Sequence, residues 1–179
     1  MVLISLGCKK CTTCVNKEIF THSPLNYNDF VSIIPLGNLN PPAHVFPTDY
    51  IYFVIGESSV PVYSPGDVKI IRISKLIHLS ADTPYADYTI TFKYGDNFEA
   101  YFGHLQSLSD KLLSSIENLS TDCDTYSTGG ETYVYCCYSV KIYVNAGEIV
   151  GTAGSKEQTC LDFGAVDYAT EPLPFANPS

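Results

Sequence analysis

Apolar and polar residues alternate along most of this chain in short runs, with the period of two that a half-buried β-strand requires. Such runs fall at Phe30–Ile34, Ile51–Ile55, Val60–Tyr63, Val68–Ile73, Leu76–Ser80, Asp87–Lys93, Phe98–Phe102, Thr132–Val144, Glu148–Gly151 and Thr159–Phe163. Turn residues stand between them at Asn40-Pro41-Pro42, Ser64-Pro65-Gly66, Tyr94-Gly95-Asp96 and Gly129-Gly130. Helical spacing occurs at Leu108–Leu119, where Leu108, Leu112, Leu113, Ile116 and Leu119 share one side and Ser107 or Ser109 can cap. Many short strands and one short helix predict an all-β fold, an antiparallel sandwich or barrel, and argue against βαβ units. Residues 1–29 carry no sustained period and read as a Cys-containing arm or cap. Residues 30–168 read as one β domain and 169–179 as an extended, Pro-rich tail.

Composition reinforces the sheet. The 179 residues include 14 Tyr and 9 Phe but no Trp and a single Met, and aromatic side chains suit pleated, half-buried surfaces. The formal charge of -9, with no Lys/Arg cluster larger than Lys9-Lys10, argues against the basic face needed to bind nucleic acid or an anionic membrane surface. No apolar run reaches the length of a membrane span. The opening Met1–Cys8 is a poor lipoprotein signal, with no basic start and a short apolar run. A weakly charged, Tyr-rich surface fits peptides, sugars or other copies of the chain.

Seven cysteines are present: Cys8, Cys11, Cys14, Cys123, Cys136, Cys137 and Cys160. The first three have a C-x-x-C-x-x-C spacing that suits zinc or an iron–sulfur cluster, although no fourth ligand follows nearby. Disulfides between this segment and Cys123 or the Cys136-Cys137 strand are the favoured reading, and they imply an oxidising compartment, extracellular or cell-envelope. Free buried thiols are the third reading, and the odd count leaves at least one Cys unpaired or paired with another chain.

Candidate chemistry gathers in a few segments. In Pro41-Pro42-Ala43-His44-Val45-Phe46-Pro47-Thr48-Asp49, a rigid turn delivers a His and a carboxylate to the mouth of an apolar strand, and both groups suit zinc. Read without the rest, they are a hydrogen-bonded histidine and a turn-capping carboxylate. An aromatic strand ends in Phe102-Gly103-His104-Leu105, and Cys160 and Asp162 share one face of the last strand. His22 and His78 stand in contexts without evident partners, and Cys160 with His104 is a further nucleophile–base pairing.

Taken in order, His44 and Asp49, Ser64-Pro65-Gly66-Asp67-Val68, Phe102-Gly103-His104-Leu105, the Val144–Gly154 hairpin and Cys160-Leu161-Asp162-Phe163 resemble the lysostaphin-type zinc metallopeptidases across residues 36–168. The resemblance implies a lysostaphin-like antiparallel sheet in which His44, Asp49 and Asp162 hold zinc. His104, with Cys160 at the other assisting position, would polarise the amide or activate water. Two departures stand out. His44 and Asp49 have four residues between them, one more than the family's usual spacing, and Cys160-Leu161-Asp162 replaces a His-x-His strand. One His and two carboxylates make a harder site that holds zinc less selectively. The expected role is therefore a divergent extracellular domain that binds peptide or cell-wall glycopeptide, or assembles with its own copies. Zinc-dependent cleavage of cell-wall peptide cross-links is the alternative.

Overall fold

A computed structural model describes residues 18–39 and 48–171. The strands are β1 (Ser32–Ile34), β2 (Tyr50–Val54), β3 (Val60–Tyr63), β4 (Val68–His78), β5 (Tyr85–Tyr94), β6 (Phe98–Leu108), β7 (Cys123–Thr128), β8 (Glu131–Val144), β9 (Ile149–Ala153) and β10 (Cys160–Asp167). Among the described residues a 3-10 turn spans Tyr27–Asp29 and one α-helix, α1 (Asp110–Glu117), lies between β6 and β7. The fold is all-β, as the alternation predicts.

All pairings are antiparallel, and the main path runs β1-β2-β10-β6-β5-β4-β8-β7. β9 leaves this path by pairing with both β6 and β3. The sheet ends at β1 and β7 and does not close into a barrel.

Register sorts the residues into two faces. One row across six strands is Tyr138, Ile73, Ile90, Phe102, Phe163 and Ile51. Ile73, Ile90 and Phe102 are fully buried in the core with Ile70, Phe92, Leu105 and Leu161. Burial of such side chains is worth about 1.5–3 kcal/mol each, so this row fixes the register. Helix α1 packs Leu112 and Ile116 into the same core. Ser109 occupies the N-cap position without a side-chain capping bond, and its carbonyl accepts from the Leu112 and Leu113 N–H groups. Residues 18–29 are docked as well: Leu25 is buried, and Phe20 meets Phe98 and Phe163 edge-on.

The adjoining row faces the other way: Ser139, Arg72, Thr91, Tyr101, Gly164 and Tyr50. It carries no aliphatic side chain, which makes it the polar face of the sheet.

Three sequence expectations need correction. Val68–Ile73 and Leu76–Ser80 are one strand, β4, because a bulge between Ile70 and Arg72 shifts the phase without ending the ladder. β7 was not expected, since all six of its residues are exposed. The disulfide joins Cys123 to Cys136 across the β7–β8 hairpin, where the two are register partners. Neither therefore reaches the N-terminal segment, and Cys8, Cys11 and Cys14 lie outside the described residues. Cys137 and Cys160 are free thiols.

Candidate functional site

The polar face acquires its chemistry where β6 departs from regular geometry. Between its partners Ile90 and Tyr88 on β5, β6 advances from Phe102 to Leu105, one residue more than the partner strand allows. The extra residue is taken up around His104, the one non-glycine residue with positive φ (62°) among those described. A left-handed backbone costs an L-residue roughly 1–2 kcal/mol, and such strain tends to be kept where a side chain must be aimed.

The imidazole is aimed at two carboxylates. Its Nδ1 lies 3.4 Å from Asp87 Oδ2, and its Nε2 lies 3.5 Å from Asp162 Oδ2. Asp87 Oδ2 also meets His78 Nε2 at 3.0 Å. His78, Asp87, His104 and Asp162 thus form a continuous chain across β4, β5, β6 and β10. Both carboxylate residues are only 6% exposed, and buried carboxylates require such partners. Burial acts to lower the His104 pKa, but the hydrogen bond to Asp87 and the charges of Asp162 and Asp87 outweigh it and raise the pKa above 6.5. Both ring nitrogens are thus directed at carboxylates, which favours the protonated ring relative to a free imidazole.

Aromatic residues frame this chain. His78 stacks on Tyr85 at 4.2 Å and meets Tyr133 edge-on. On the other side, Tyr52 donates a hydrogen bond to Tyr50 (3.2 Å), and Tyr50 lies 6.2 Å from the Tyr101 ring. Tyr101 lies against Gly164, where a Cβ would overlap its ring, so Gly164 is needed for the ring to lie down on β10. Burial raises the Tyr101 pKa, followed by the charges of Asp49 and Asp162. Burial also raises that of Tyr50, followed by its hydrogen bond with Tyr52 and the charge of Asp162. Both phenols are therefore neutral donors in the physiological range. A small cavity of about 60 Å³, lined in part by Asp87, His104, Gln106, Glu157 and Gln158, opens beside the imidazole.

The structure brings His104 and Asp162 together, with Asp49 near enough to influence Tyr101. Cys160 is half-buried on β10, and its thiol pKa is pushed up by burial and by Asp162, against a lowering contact from Thr159. It rests as a thiol. His44 lies outside the described residues. His78 is not partnerless, as the sequence suggested: β4 and β5 pair it opposite Tyr85 and within reach of Asp87. Asp87 was missed altogether.

No protein-family model matches the chain, and no curated protein matches it. The functional reading therefore stands on the residues themselves. Among the described residues, no three His, Cys, Asp or Glu side chains are arranged to hold a metal ion. Asp162 and His104 face each other at 3.5 Å. No described helix is long and apolar enough to cross a membrane.

Proposed function

We propose that the polar face is the peptide- or glycopeptide-binding surface of a divergent lysostaphin-like domain outside the cytoplasm, acting by binding rather than efficient hydrolysis. The observation that carries this reading is the state of His104. With Nδ1 facing Asp87 and Nε2 facing Asp162, both buried, neither ring nitrogen is left open to take a proton from water, whereas the ring makes a fixed, polar floor for a ligand. The neutral tyrosines beside it supply flat rings and O–H donors, a combination suited to peptide planes and sugar faces. The Cys123–Cys136 disulfide supports an oxidising compartment.

Self-assembly is the second reading. It is favoured by β7, a fully exposed strand at the end of the sheet with Tyr126 stacked on Tyr133 of β8. Such an edge is open to pairing with another chain.

The test uses ¹⁵N-labelled protein and a purified disaccharide-tetrapeptide muropeptide. Amide shifts are expected around Tyr50, Tyr101, His104 and Asp162, with the muropeptide intact by mass spectrometry after incubation with zinc. Cleavage of cross-linked muropeptide dimer in the same mixture would establish the peptidase alternative. Concentration-dependent line broadening centred on β7, with no response to muropeptide, would favour assembly.

A further inference from the structure

Arg72 is the single arginine in a chain that carries 19 Asp+Glu. An arginine in so acidic a protein would be expected to pair with a carboxylate. Arg72 does not: among the described residues no ion pair includes it. Its one hydrogen bond runs from Nε to Thr91 Oγ1 at 3.4 Å, which is long. The forked end of the guanidinium is left for something else.

Its setting is polar. Arg72 lines an open depression of about 300 Å³ with Ser74, Thr89, Thr91, Tyr101 and Tyr135. Ser74 and Thr91 are 7% and 8% exposed, so hydroxyls occupy places in the sheet that alkyl side chains usually fill. Ser74 Oγ and Tyr135 Oη meet at 2.9 Å, which fixes that wall. A planar cation with unused parallel N–H groups, ringed by hydroxyls, matches a carboxylate in a bidentate arrangement.

We infer that Arg72 anchors a carboxylate of the peptide bound on the polar face, with the amino end of that peptide directed toward Asp49. The inference rests on the peptide-binding reading above and gives it a ligand chemistry and a direction. The row from Arg72 through Thr91, Tyr101 and Gly164 to Tyr50 crosses four strand spacings, about 19 Å at roughly 4.8 Å each. An extended peptide of about six residues has that length. Its two ends meet opposite signs: the Arg72 guanidinium at β4, and beside β2 the exposed carboxylate of Asp49, which lines a depression with Tyr50 and Gly164. Tyr101 and Tyr50 lie between, with the Tyr101 ring laid flat over Gly164. Charge complementarity of this kind sets ligand orientation.

The experiment compares two probes, the hexapeptide Ala-Ser-Ala-Ser-Ala-Ala as its free acid and as its C-terminal amide, by amide-shift titration of the full chain. The acid is expected to bind roughly tenfold more tightly than the amide, the effect of losing one charge-assisted contact. In Arg72→Gln that preference should vanish while the weaker amide affinity is kept. Arg72→Lys should restore part of it, since a point charge lacks the fork. Gly164→Ala, which displaces the Tyr101 ring, should weaken both probes alike. Equal binding of acid and amide by the native protein would overturn the Arg72 assignment while leaving peptide binding standing. If neither probe shifts any amide on the polar face, the peptide-binding reading falls and the assignment with it.

Discussion

His104 offers the sharpest test of the geometry. Replacing it by Gly or by Ala removes the same imidazole, so the loss of both Asp contacts and the exposure of the two carboxylates are common to the variants and cancel in the comparison. What remains is the backbone. At an ordinary strand position Gly is about 0.5–1 kcal/mol worse than Ala, because more conformational freedom is lost on folding. At φ 62° Ala bears a left-handed penalty of roughly 1–2 kcal/mol that Gly does not. The difference of these ranges leaves His104→Gly more stable than His104→Ala by about 0–1.5 kcal/mol, against the usual order in a strand. Urea denaturation with the disulfide intact measures it as a shift in midpoint at constant slope. An alanine variant more stable than the glycine variant by the ordinary strand margin of about 0.5–1 kcal/mol would refute the strained bulge. The pH dependence adds a second arm. Because the folded-state pKa of His104 is raised above 6.5, its contribution is fully present below that value and is lost as pH rises through the folded pKa. The advantage of the native protein over either variant should therefore shrink as pH is raised through that window.

Asp87→Asn should lower the His104 pKa relative to the native protein, since it removes the strongest raising contact and leaves burial opposed only by Asp162; the imidazole Cε1 proton followed by NMR across pH reports it, and an unchanged midpoint would discard Asp87 as the cause. The paired change Cys123→Ser with Cys136→Ser opens a bridge of sequence separation 13, which should cost up to about 3 kcal/mol. Its effect should concentrate on β7, whose described ladder partner is β8 alone, so hydrogen exchange in β7 that stays at the native rate would count against the bridge as its anchor.

Much of the fold was legible because one face of the sheet is buried. Strands such as β5 and β6 place Ile90, Phe92, Ala100 and Phe102 at alternate positions, and burial enforces what the alternation announces. β7 was invisible for the opposite reason. Cys-Asp-Thr-Tyr-Ser-Thr has no apolar stripe, and the strand exists through its ladder and disulfide to β8. Within the site, His104 and Asp162 were reached through the segments they sit in, whereas Asp87 and His78 were not. Their relation is set by a hairpin that opposes His78 to Tyr85 and brings Asp87 alongside. The short, turn-rich Leu79–Pro84 between two β-type runs was the available signal. Pairing residues outward from it would have put the His and the Asp on one face.

The two residues on which the functional reading turns share a feature that a period-two pattern conceals. Arg72 follows the buried Ile70 by two positions, and His104 follows the buried Phe102 by two. In regular strands both would point into the core, where an unpaired guanidinium or imidazolium is strongly disfavoured. Each is preceded by a register shift, between Ile70 and Arg72 in β4 and between Phe102 and Leu105 in β6. The added residue re-aims the side chain to the polar face. Alternation resumes afterwards in the shifted phase, since Ile73 and Leu105 return to the core. Both bulges thus do the same thing: they interrupt an apolar ladder for one residue, deliver one nitrogen-bearing side chain to the open face, and resume. Two such insertions on neighbouring parts of one face, each delivering a nitrogen-rich side chain among hydroxyls and carboxylates, argue that this face was shaped to hold a ligand.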